Sequence, residues 1–166
     1  EYGVLEMDRD RIPSELERLQ QEGYTGANVT IPYKLEVMPY LTEISREALT
    51  IGAVNTLHFT QDGIFGYNTD YGGFGRSLQH ASIDIVKKDC YVLGTGGGAR
   101  AIIQYLRDGG ASTITVVSRK PHQKAGFENF AQKLDVSVID YEAFEKASSG
   151  DVLVNCTPVG MFPDCL

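Results

Sequence analysis

The sequence predicts an α/β chain in two parts, a small mixed α/β domain over residues 1–76 and a parallel-sheet domain over residues 77–166. Three observations carry this. From Cys90 onward, short apolar runs and amphipathic stretches alternate, with short loops between them. Before residue 70 the pattern is mixed, one amphipathic helix followed by short strand-like runs and an Asp-Gly hairpin signal. With 166 residues, 42% of them hydrophobic, the chain has enough apolar surface for one large core or two small ones.

The first part opens on an apolar, strand-like run, Tyr2-Gly3-Val4-Leu5. Ile12, Leu16 and Leu19 then recur at helical spacing, with Pro13 near the start and Gly23 past the end, so residues 13–22 read as an amphipathic helix. Ala27-Asn28-Val29-Thr30 reads as a strand, and the Ile31-Pro32 step interrupts it. A second helical stretch is expected from Tyr33-Lys34, and Ser45 is placed to cap a third. Residues 55–59 and 64–67 read as strands paired around Gln61-Asp62-Gly63, where Asp-Gly supplies positive φ for a tight turn.

In the second part, strands at 90–93, 113–118, 136–139 and 152–155 alternate with helices at 99–106, 127–134 and 141–147. Parallel strands need crossovers of about a dozen residues, and these helices supply them. The boundary is expected within residues 70–88, where Phe74 and Leu78 mark a linking helix and Lys87-Lys88-Asp89 a polar break.

Charge and cysteine usage narrow the function classes. Lys and Arg number 15 against 22 Asp and Glu, a formal net charge of −7, which disfavours nucleic acid and anionic membranes as partners. No run of about 18 apolar residues is present, and the opening residues are not a basic-then-apolar leader. A soluble, cytoplasmic protein with a small-molecule partner is expected. Cys90, Cys156 and Cys165 lack CxxC spacing and are expected as free thiols. His58, His80 and His122 form no ligand-like pair, so no metal site is expected. Both chain ends read as cut rather than finished.

Gly94-Thr95-Gly96-Gly97-Gly98-Ala99 follows an apolar strand directly and opens a helix, the context of a dinucleotide-binding loop. Gly94 permits the turn, Gly96 lets backbone approach a pyrophosphate, and Ala99 lets helix and strand pack closely. The helix-start N–H groups and dipole then hold the phosphates. The alternative is a glycine-rich turn that binds nothing. About 20 residues on, where an NAD-binding chain carries an acid for the ribose 2′-hydroxyl, this one reads Val117-Ser118-Arg119-Lys120. Arg119 can pair with a 2′-phosphate that an acid would repel, so NADP is favoured over NAD. Lys120 and Lys124 add positive charge, and both also fit as solvated surface lysines.

Hydride transfer to a carbonyl needs a proton donor at the emerging alkoxide. Lys34, in Asn28-Val29-Thr30-Ile31-Pro32-Tyr33-Lys34, and Asp70, in Asn68-Thr69-Asp70, each lie just past an expected strand, where such folds expose reacting groups. On spacing alone a structural role fits both equally well.

These two segments, with Ile51-Gly52-Ala53-Val54-Asn55-Thr56, the glycine loop, and Asn155-Cys156-Thr157-Pro158-Val159-Gly160-Met161, resemble the shikimate dehydrogenase family in content and order. The resemblance implies a substrate domain followed by a Rossmann-like NADP-binding domain. It also implies reduction of 3-dehydroshikimate to shikimate with NADPH, a step of the shikimate pathway of aromatic amino acid biosynthesis. Lys34 and Asp70 would be the catalytic pair, and Thr30 and Asn55 would bind ring hydroxyls. The family's two serines for the substrate carboxylate would precede Glu1, and its glutamine motif would follow Met161. Ser118 and Lys120 replace the neighbours of the arginine in the family's Asn-Arg-Thr pattern.

Two other readings stand beside this one, a quinate-using relative with either cofactor and a non-catalytic nucleotide-binding module. A hinge is expected near Asp70 to Ser77, which contains Gly72, Gly73 and Gly75, and the alternative is a glycine-rich helix start.

Overall fold

A computed structural model describes residues 2–121, 125–147 and 149–160. The chain divides into two compact units, Glu1–Thr69 and Asp70–Leu166.

The first unit begins with a 3-10 turn at Arg9–Arg11 that runs into α1 (Ile12–Gln21). Pro13 lies in the first turn of α1, where its missing N–H costs no intrahelical bond. Ile12 and Leu16 face the core at 4% and 5% exposure, and Gly23 ends the helix with φ +80°. A four-stranded sheet follows, ordered β1-β3-β4-β2, with β1 (Gly26–Asn28), β2 (Glu43–Ile44), β3 (Thr56–Thr60) and β4 (Gly63–Tyr67). β1–β3 and β3–β4 are antiparallel and β2–β4 parallel, Leu57 pairing with Ala27 on one side and Gly66 on the other. The hairpin forms as expected, with Gly63 at φ +140°, although Asp62 does not share the positive φ. Val37, Ala48, Val54, Leu57, Phe59 and Ile64 fill the core with α1.

Two expectations for this unit are corrected. Residues 31–37 form consecutive turns that end in a 3-10 segment at Met38–Tyr40, not an α-helix. One i→i+4 bond forms, from the Val37 N–H to the Tyr33 carbonyl at 3.0 Å, but Pro39 has no N–H to continue the ladder to Leu35, and the flanking bonds are of the i→i+3 kind. Tyr2–Leu5 is irregular, with Tyr2 and Val4 exposed, because no described strand pairs with it. The Ser45 cap is present: its Oγ accepts the Ala48 N–H at 3.2 Å and starts α2 (Arg46–Ile51), which Gly52 closes in the left-handed conformation.

The second unit starts with α3 (Asp70–His80), then carries β5 (Asp89–Leu93), α4 (Gly97–Asp108), β6 (Thr113–Val117), α5 (Ala125–Lys133), β7 (Ser137–Ile139), α6 (Tyr141–Glu145) and β8 (Val152–Asn155). The strands form an all-parallel sheet ordered β7-β6-β5-β8. Val92 of β5 and Val116 of β6 are fully enclosed with Ile103 and Leu106 of α4, so the apolar runs of these strands supply the sheet face that α4 covers.

α3 packs along α4 through Tyr71, Phe74 and Tyr105, whose rings meet edge to face at 5.2 and 5.6 Å. The units therefore divide at Thr69/Asp70, ahead of the 76/77 boundary read from sequence. Gly72, Gly73 and Gly75, read as a hinge, lie inside α3. A Cβ on Gly75 would stand 2.3 Å from Tyr105 Cε2, so this glycine allows close helix packing.

Candidate active site

In the parallel sheet the strand order reverses between β5 and β8, the switch point at which open α/β sheets bind ligands. Leu93 at the end of β5 is level with Val117 on one side and Asn155 on the other. Gly94, Ser118 and Cys156 consequently emerge together at the carboxyl edge of three adjacent strands. Gly94 donates to the Val117 carbonyl at 3.0 Å, and Cys156 donates to the Leu93 carbonyl at 2.9 Å.

The glycine loop has the conformation its sequence demands. Gly94 takes φ +107°, and a Cβ there would lie 3.1 Å from the Cys156 carbonyl oxygen. Gly96 caps α4 in extended backbone, and Cβ atoms built on Gly96 or Gly98 meet only open space. The first intrahelical bond runs from Arg100 N–H to Gly96 C=O, so the N–H groups of Gly97, Gly98 and Ala99 stand outside the ladder. No acid occupies the first turn of α4. Open space, unused donors and the positive end of a 12-residue helix fit a dinucleotide pyrophosphate. Thr95 is half-buried, while Gly97 and Ala99 are buried.

At the end of β6, Ser118 donates its backbone N–H to Ile139, and its Oγ accepts from the Lys120 N–H at 3.2 Å. Arg119 and Lys120 are exposed just beyond, beside the glycine loop in strand order. Lys124 and His122 lie outside the described residues. Asn155 organises the end of β8: its Oδ1 accepts from the N–H and hydroxyl of Thr157, and its Nδ2 donates to Val159 at 3.0 Å.

Cys90 and Cys156 are free thiols, and Cys165 lies outside the described residues. Burial, with a smaller contribution from the Asp70 carboxylate, pushes the Cys156 thiol up to about 11. Cys90, desolvated and facing Asp151 and Asp89, also rises to about 11. Neither thiol supplies a nucleophilic thiolate at neutral pH.

The first unit gathers Thr30, Lys34 and Asn55 by backbone hydrogen bonds. Val29 donates to the Asn55 carbonyl at 2.8 Å, and Val54 donates to the Lys34 carbonyl at 2.7 Å. Thr30 is exposed and accepts from the Tyr33 N–H at 2.9 Å, closing the turn into half-buried Lys34. The Tyr33 hydroxyl donates to the Met7 carbonyl, and Arg9 pairs with Glu36, which hold the Lys34 turn from the N-terminal side.

Asn55 is 7% exposed, and its side chain joins Thr56 and Thr69. Asn68, 6% exposed, donates to the Ala53 carbonyl at 2.9 Å. Asp70 follows directly as the half-buried first residue of α3. Reading the sequence singled out Asn55 and Asp70 but gave no part to Thr69, which fixes the amide of Asn55. It also missed Arg100, a cation in the apolar run Ala99–Ile103, where a buried charge is itself a signal.

Residues 1–57 match the family model of the shikimate dehydrogenase substrate binding domain. The chain is 42% identical over 164 residues to the shikimate dehydrogenase (NADP(+)) of Clostridium beijerinckii, covering 98% of this chain and 58% of that protein. A crystal structure of a chorismate mutase/shikimate 5-dehydrogenase fusion protein from Clostridium acetobutylicum superposes with a TM-score of 0.87 at 43% identity, over 98% of this chain and 58% of the other. The shikimate 5-dehydrogenase of Thermus thermophilus, solved in complex with NADP(H) and shikimate, gives 0.79 at 32% identity, over 93% of this chain and 56% of the other. The chain thus spans about three fifths of the length of the relatives it matches. Across that span, in sequence and in fold, it belongs to the shikimate dehydrogenase family.

Proposed function

We propose that this chain forms the substrate-binding part and the NADP-binding loop of a shikimate dehydrogenase that reduces 3-dehydroshikimate to shikimate. The observation that carries the reading is the joint presence of two built features. One is the glycine loop at the sheet's switch point, with Arg119 at the neighbouring strand end. The other is the set of backbone bonds, Val29 to Asn55 and Val54 to Lys34, that ties together the segments carrying Thr30, Lys34 and Asn55.

NADPH, when bound, supplies the hydride. Gly96, Gly97 and Gly98 would hold its pyrophosphate by backbone N–H groups, and Arg119, with Ser118 and Lys120, would hold the 2′-phosphate. The amine of Lys34 donates a proton to the oxygen of the reduced carbonyl. Asp70 is the second member of the proposed catalytic pair. Thr30 and Asn55 bind substrate hydroxyls.

The deciding experiment follows nicotinamide absorbance in the full-length protein with 3-dehydroshikimate. Lys34→Ala is expected to lower kcat by about 10²–10⁴-fold while cofactor affinity and melting temperature hold. A Lys34→Ala protein of wild-type activity removes the catalytic assignment. Turnover of quinate at a comparable rate, with NADH as good as NADPH, would favour the broader relative. Cofactor binding without turnover of either substrate would favour the nucleotide-binding module.

A further inference from the structure

Arg100 is buried at 7% exposure on α4, one turn beyond Gly97, yet no carboxylate pairs with it among the described residues. Its guanidinium lies 4.8 Å from the ring centroid of Phe130 and 5.5 Å from that of Phe127. Nη2 donates to the Gly126 carbonyl at 2.6 Å, and Nε is buried with no acceptor. A methionine, the apolar side chain nearest to arginine in unbranched reach, would fill much of the same apolar surroundings without an orphaned donor or a desolvated charge. The arginine instead makes the bond to Gly126 and lies over both rings, all on α5.

α5 is the helix that follows Arg119. Gly126 stands seven positions after Arg119, and Ser118 before it is tied to β7 through Ile139. The sheet ties the stretch before Arg119 through Ser118 and Ile139, and Arg100 ties α5 through Gly126. Arg100 belongs to the helix whose first turn would take the pyrophosphate, so it links the two phosphate-binding places through one side chain.

We infer that Arg100 is a positioning residue for cofactor choice: it holds the start of α5 so that Arg119 meets the 2′-phosphate. This rests on the NADP reading above. Lysine carries the same charge but lacks the planar fork that reaches a carbonyl while stacking on two rings, so it does not substitute.

The test uses the full-length protein and two adenosine probes, adenosine 2′,5′-bisphosphate and AMP, titrated by calorimetry. Wild type is expected to prefer the bisphosphate. In both Arg100→Lys and Arg100→Gln that preference is expected to fall about tenfold, the size of one lost charge-assisted hydrogen bond, with AMP affinity little changed. A merely structural role would weaken both probes alike, and that outcome, or an undiminished preference in either folded variant, overturns the inference. If neither variant folds, Phe130→Leu removes one stacking face; a drop of about threefold in preference supports the inference, and an unchanged preference overturns it. A wild-type protein that binds both probes equally removes the NADP reading and this inference together. Preference that survives at Arg100 removes the inference alone.

Discussion

Asn55 and Thr69 are joined three times: the Asn55 Nδ2 donates to Thr69 Oγ1 at 3.0 Å, and the Thr69 N–H and hydroxyl donate to Asn55 Oδ1 at 3.0 and 3.3 Å. The amide therefore fixes the segment that leads into Asp70 before any substrate is bound. Asn55→Leu keeps the volume and removes all three bonds, leaving the Thr69 N–H without its partner. Stability is expected to fall by about 1–3 kcal/mol, read by urea unfolding. Thr69→Val should lose part of the same energy, and the double variant should show less than additive loss. Strict additivity would mean that the two side chains act independently.

The glycine loop separates strain from function at two positions. Gly94→Ala places a Cβ at φ +107°, 3.1 Å from the Cys156 carbonyl, so it should cost about 1–3 kcal/mol of stability. Gly96 has an ordinary φ of −79° and only open space around its Cβ. Gly96→Ala should therefore lose about 1 kcal/mol or less of stability, a capping effect, while weakening NADPH binding by about tenfold or more. Thermal unfolding and cofactor titration on the same two variants check both halves. Wild-type affinity in Gly96→Ala would place the pyrophosphate elsewhere.

Gly75 and Tyr105 carry the contact between α3 and α4. The Tyr105 ring is held edge-on by Tyr71 and Phe74, so it has little room to retreat from a new Cβ 2.3 Å away. Gly75→Ala should destabilise by about 1–3 kcal/mol despite alanine's better helix propensity. Pairing it with Tyr105→Leu should recover much of the loss. A gain in stability from Gly75→Ala alone would show that the helices can separate freely at this point.

Residues 89–117 were legible because buried parallel strands leave continuous apolar runs, and because the glycine loop performs its turn with its own covalent geometry. Residues 31–40 were not, since the apolar spacing around Val37 looks helical while the single i→i+4 bond from Val37 to Tyr33 is not continued past Pro39. β2 spans only Glu43–Ile44, too short for alternation to show. At the site, Lys34 and Arg119 could be singled out by residue type and position. Thr69 and Arg100 act through partners 14 and 26 positions distant, and no local pattern carries that information.

Glu15 gives the first unit a pH dependence of known sign. Its side chain is 6% exposed on α1, where Arg18 Nε donates at 2.9 Å and Arg11 reaches the other oxygen. These guanidiniums, Arg18 first and Arg11 second, hold the carboxyl below its ordinary value against an opposing effect of burial. A depressed native value means that the unfolded chain binds the proton more readily. The stabilisation is therefore complete above the unfolded glutamate value, about 4.3, and is lost as pH falls through the lower native value. Glu15→Gln preserves shape and removes the charge, so its melting temperature should lie below wild type at pH 7. The gap should narrow as pH falls through 4 and close below the native value, and added salt should shrink it at pH 7. A gap that stayed constant across this range would mean that the amide fails by packing and that the carboxylate's charge contributes nothing.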